Sequence, residues 1–145
     1  MKGIAGRTAA SWAGAFSLLL SVAGLTSAQA PTLCGAGGAL VARTIVHHDF
    51  RTPSEDAVLL AVNDIHCDYG VRDTTHMANV VVATIVAGQR VYGIFHVHFT
   101  ADGTLRSVAA VKPWREVARD EWRDDWCNFI RVVYPAEAGV QGCEP

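Results

Sequence analysis

Two long strand-like runs near the middle of the chain constrain its fold more than any other feature. Asn79–Ala87 (NVVVATIVA) and Arg90–Thr100 (RVYGIFHVHFT) are rich in β-branched and aromatic residues and are separated only by Gly88-Gln89, the composition and spacing of a β-hairpin. Asp102-Gly103 makes a second turn into Thr104–Val111, which predicts a three-stranded antiparallel meander. Upstream, Ala39–His48 (ALVARTIVHH) is β-branched enough to read as a further strand. A helix is predicted next, with Thr52 as N-cap, Pro53 at its first position and Glu55 at capping-box spacing. Ala57, Val58, Ala61, Val62 and Ile65 give it an apolar stripe, and Gly70 ends it. After a polar loop (Val71–His76) and the meander, Pro113 breaks the chain, and Trp114–Val133 returns to a helical period through Ala118, Trp122, Trp126, Phe129, Ile130 and Val133.

The predicted class is therefore α+β. An antiparallel sheet of three to four strands is packed by two amphipathic helices, in the order β-α-β-β-β-α. Val80, Val82, Val86, Phe95, Val97 and Phe99 supply the apolar surface that both helices need.

The first thirty residues stand apart from this scheme. Lys2 and Arg7 form a positive start, Ala9–Leu25 is uncharged and mostly apolar, and Ala28-Gln29-Ala30 places small residues where a signal peptidase reads. Residues 1–30 are thus expected to be a cleaved secretory signal, leaving 31–145 as a single secreted domain with no membrane attachment. A membrane anchor is the competing reading, but Ser11, Ser17 and Ser21 dilute the apolar run and Gly24 interrupts it. Lys2 and Arg7 leave with the leader, so 12 Lys+Arg become 10 against an unchanged 14 Asp+Glu, a net charge of −4. An acidic chain without a basic patch does not suit nucleic acid.

Cys34, Cys67, Cys127 and Cys143 all lie in the mature part. An even count in an exported small domain predicts two disulfides, and the wide spacing is unlike a structural zinc site. The pairing Cys34–Cys143 would tie the two ends, and Cys67–Cys127 would join the two predicted helices.

His96-Val97-His98 is the one constellation with chemical potential. Residues two apart on a strand share a face, so both imidazoles project together, opposite Phe95, Val97 and Phe99 and away from the helices. A Gly88-Gln89 turn places Asn79 across from His98 and Val81 across from His96, and the next turn places Ser107 beside His98 and Ala109 beside His96. Three readings compete. The pair could divide general-acid and general-base work, give a metal two nitrogen ligands, or be polar filler on the wetter face of a sheet. The further ligands that a metal needs would have to come from His47, His48, Asp49 or His76, and no metal or other cofactor is expected. Trp122 and Trp126 fall on an apolar stripe, which leaves Trp114 as an open binding candidate. G-x-S-x-G, P-loop and H-E-x-x-H motifs are absent from the sequence.

A cysteine soon after the leader (Cys34), a helix (Ala57–Cys67) followed by an antiparallel sheet (Asn79–Val111), and a cysteine near the end (Cys143) resemble small secreted fungal proteins with a ribonuclease-like scaffold. Some of those are enzymes and many are plant-directed effectors. The enzymes use a strand-borne glutamate with a histidine and an arginine, whereas Glu55, Glu116, Glu121, Glu137 and Glu144 all fall outside the predicted meander. The resemblance therefore implies a non-catalytic protein that binds an extracellular or host partner. The alternative is a small secreted hydrolase of ribonuclease type, or a metal-binding protein, working through His96 and His98.

Overall fold

Ala39–His48, predicted as a strand, lies within a helix. The structure, a computed structural model, describes residues 33–52, 54–69, 74–116 and 118–145. The predicted leader, Pro53, Gly70 and the first half of the predicted polar loop (71–73) lie outside them. The elements run α1 (Gly38–Phe50), β1 (Val58–His66), β2 (His76–Val86), β3 (Gln89–Phe99), β4 (Leu105–Glu116) and α2 (Glu121–Val133), followed by a 3-10 turn at Pro135–Glu137. The class is α+β with two helices and four antiparallel strands in the order β1-β2-β3-β4. The chain order is α-β-β-β-β-α, which corrects the predicted exchange of the first two elements.

Burial explains the exchange. Val41, Ala42, Ile45 and Val46 are the buried residues of α1, a spacing that only a helix presents on one side. A strand would have put Arg43 and His47 on the face of Val41 and Ile45. Burying one Val or Ile is worth about 1.5–3 kcal/mol, against a few tenths of a kcal/mol of helix-propensity penalty for β-branching. In β1, Leu59 and Val62 turn to one side of the sheet while Leu60 and Ala61 turn to the other. The register slips between Leu59 and Ala61, a bulge that re-aims the side chains. A helix over this segment would have left Leu59 and Leu60 off its apolar stripe. The expected N-cap, Thr52, falls in the loop after α1, whose C-cap is Arg51 in the left-handed conformation.

Central strands β2 and β3 are apolar on both faces, and both faces are covered. On one, Ala78, Val80, Val82, Phe95, Val97 and Phe99 pack with Val41, Ala42, Ile45 and Val46 of α1. On the other, Val81, Ala83, Tyr92 and Ile94 pack with Trp126, Cys127 and Ile130 of α2. The helices therefore lie on opposite faces, not on the single face that was expected. Each face has its own disulfide, Cys34–Cys67 beside α1 and Cys127–Cys143 beside α2. The sheet separates the two pairs, so the expected Cys34–Cys143 and Cys67–Cys127 bridges do not form.

The strand that was expected to stop before Pro113 continues to Glu116. Proline is tolerated there because β4 is an edge strand, with one row of N–H groups unused by the sheet. The last helix is correspondingly shorter than its period suggested, and Val133, placed on its apolar stripe, is half exposed.

Candidate functional site

Alternation along β3 sets the direction of each side chain. Tyr92 and Ile94 enter the core beneath α2, so His96 and His98 project from that same face, past the end of that core. They do not face away from both helices, because each face carries one.

The register brings the pair its first partner. Asn79 of β2 lies opposite His96, and Met77 lies opposite His98. The expected register was displaced by two, because the turning residues are Ala87 and Gly88, and Val86 pairs with Gln89. On the other flank, Ala109 faces His96 and Ser107 faces His98, as the second turn implied. Ser107 and Ala109 are exposed, and neither is bulky, so the outer edge of the imidazole pair is open.

His96 Nδ1 lies 3.1 Å from Asn79 Oδ1, and the two Nε2 atoms of His96 and His98 are 3.0 Å apart. An amide oxygen only accepts, so His96 Nδ1 carries the proton and donates to it, which leaves a lone pair on His96 Nε2. His98 Nε2–H then donates to that lone pair. Burial, followed by the neighbouring His98 charge, pushes His96 below its ordinary value of 6.5 and favours the neutral ring. Two Nε2 atoms thus face each other, with the His96 tautomer set from behind.

Behind Asn79 stands Asn63 of β1, its direct neighbour across the strand pair. Asn63 and Asn79 are 4% and 1% exposed, and among the described residues Asn79 Nδ2 has no hydrogen-bond partner. A buried amide donor left unpaired costs about 1–3 kcal/mol. This polar row crosses a mostly apolar sheet at the expense of stability, which points to a functional reason for it. Asn63 went unnoticed in the sequence because its segment was read as a helix. Within a strand, an asparagine aligned with Asn79 would have been the signal.

The remaining candidates lie elsewhere. Trp114 is in β4, not at a helix start, with its ring packed against Phe50 and Phe95 at centroid distances of 5.1 and 4.8 Å. Its Nε1 donates to Asp49 Oδ2 at 2.6 Å, on the α1 face and away from the histidine pair. His48 Nδ1 is 2.8 Å from Asp49 Oδ1 at the end of α1. His76 is fully buried between Tyr69 and Phe99, and its Nδ1 accepts from the Asp68 N–H. None of the expected additional ligands joins the pair. Glu116 is strand-borne after all, but it pairs with Val91 near the start of β3, away from His96. Among the described residues Cys34, Asp64 and Cys67 also cluster, but both sulfurs are in a disulfide and supply no thiolate. The chain matches no protein-family model, no curated protein and no solved structure.

Proposed function

We propose that this chain is an exported, disulfide-stabilised domain that acts by binding, with the His96–His98 pair as its recognition centre for a divalent late transition-metal ion. The observation that carries the reading is the convergence of the two Nε2 atoms at 3.0 Å. Zinc–nitrogen bonds of 2.0–2.1 Å at a tetrahedral angle place two ligand nitrogens about 3.3 Å apart. A square-planar copper or nickel ion places them about 2.9 Å apart. The pair sits between these values, so an ion replaces the Nε2–Nε2 hydrogen bond with a shift of only a few tenths of an ångström once His98 carries its proton on Nδ1 instead of Nε2. Asn79 plays the part that outer-sphere groups play for metal-bound histidines, holding the proton on Nδ1 so that the His96 lone pair stays on Nε2.

Two nitrogens fill half of a four-coordinate sphere. The exposed edge beside Ser107 and Ala109 leaves the other half to water or to donors on an extracellular or host partner, in keeping with a role in binding. The two disulfides agree with an oxidising compartment, and no helix of the described residues is long and apolar enough to cross a membrane. The hydrolase reading is less well supported. An acid and a base hydrogen-bonded head to head occupy each other and do not flank a scissile bond.

Calorimetric titration of the purified mature chain with Cu2+ and Zn2+ tests this. One ion per chain is expected, with binding at least about tenfold weaker in His96→Ala and in His98→Ala, and weakened by about tenfold in Asn79→Ala through loss of orientation. Unchanged affinity in both histidine variants would overturn the reading.

A further inference from the structure

A cleft lies on the same sheet face, beside the amino end of α2. Here Leu60 of β1, Ala83 of β2 and Trp122 of α2 line a cleft of about 330 Å³, with Tyr92 in its wall. Leu60 and Trp122 flank the core beneath α2 and are only partly buried. The cleft is thus an unfilled extension of that core. Its volume is at the small end of the range for small-molecule sites, about 300–1,000 Å³.

The charges on its rim differ from those beside it. Arg115 and Lys112 are both consumed by Asp125, which Tyr92 Oη also contacts as a donor at 2.9 Å. Arg90 and Arg119, which line the cleft, are exposed and form no ion pair among the described residues. Asp120 is the one carboxylate of the lining. Two guanidinium groups against one carboxylate leave the rim one positive charge in excess, which suits a monoanion better than a dianion. Guanidinium groups pair with a carboxylate through parallel N–H donors. The indole of Trp122 and the side chain of Leu60 offer a flat apolar wall that favours a ring over a chain.

We propose that this cleft binds a small aromatic monocarboxylate, its ring against Trp122 and Leu60 and its carboxylate between Arg90 and Arg119. The site uses no residue of the histidine pair and stands or falls independently of metal binding.

The test uses 1-naphthoate as probe and 1-naphthalenemethanol as its uncharged counterpart, each titrated into the mature chain while the Trp122 indole N–H is followed by NMR. Naphthoate is expected to shift that signal and to bind at least about tenfold more tightly than the alcohol, the effect of a charge-assisted contact. Arg90→Ala and Arg119→Ala are each expected to weaken naphthoate about fivefold or more while leaving the alcohol unaffected. Both arginines are exposed, so the variants should fold, and an unchanged far-ultraviolet spectrum verifies it. Equal binding of acid and alcohol, an unmoved Trp122 signal, or indifference to both arginine substitutions would each overturn the proposal.

Discussion

Tyr92 shows how one buried polar atom can be accommodated in an apolar core. Its ring is 3% exposed, and its hydroxyl donates to Asp125 Oδ2 while accepting from Arg115 at 3.2 Å. Burial raises the phenol above its ordinary 10.0, with the Arg115 hydrogen bond opposing. Burial alone would raise Asp125 too. The hydrogen bonds from Lys112 and Tyr92 and the charges of Lys112 and Arg115 outweigh it and hold Asp125 below its ordinary 3.8. A carboxylate with a lowered folded-state value stabilises the fold above its ordinary value and loses that contribution as the pH falls through the lowered one. Asp125→Asn is therefore expected to destabilise the chain by about 1 kcal/mol at pH 7, a modest figure because solvent screens the half-exposed cations. The difference should shrink as the pH is taken from 4 towards 2. Urea midpoints of both proteins across that range check it, and a pH-independent difference would remove the ion pairs from the account.

At the scale of elements, the meander was legible and the first two elements were not. β2, β3 and β4 announce themselves by dense β-branching and short turns, because strand pairing between neighbours is a local affair. Gly93 of β3 is a detail that only packing explains. The Phe95 ring folds back over it, and an added Cβ would meet Phe95 Cζ at 2.5 Å. The β2–β3 turn is locally strained, because Ala87 adopts φ 50° before Gly88 at φ 77°. Two residues with positive φ suit an Asn-Gly turn, and a left-handed alanine costs roughly 1 kcal/mol. Ala87→Asn is expected to raise stability by about 0.5–1 kcal/mol without moving the register, measured as a shift in the denaturant midpoint. The strand-like composition of α1 and the helical stripe of β1 misled for one reason. A helical stripe and a strand alternation can be drawn through the same short apolar segment, and the tertiary partner chooses between them. β1 supplies a paired edge to β2, whose long apolar strand would otherwise be open to other chains.

For the molecule as a whole, one sheet divides two cores, and each disulfide belongs to one side. Cys34–Cys67 spans 33 residues and Cys127–Cys143 spans 16. Loop-closure entropy assigns them about 3.7 and about 3 kcal/mol respectively. Because the sheet separates them, the double variants Cys34→Ala/Cys67→Ala and Cys127→Ala/Cys143→Ala are expected to lose stability additively when combined. Chemical denaturation of the three proteins measures this, and strong non-additivity would mean that the two cores are coupled through the strands. Gln141 Nε2 donates to the Val62 carbonyl at 2.9 Å and so ties the tail after α2 to β1, across the sheet from α1. By itself the sequence determined the α+β class, the meander, the even set of cysteines and the sharing of one face by His96 and His98, because alternation, turn chemistry and composition act over a few residues. Only the tertiary structure decided which segment became the first helix, which cysteines meet, which face each helix covers and that Asn79 stands behind His96. Those outcomes depend on burial against partners distant in sequence. Short-range patterns leave such contacts open, and the packing of two faces on one sheet selects among them.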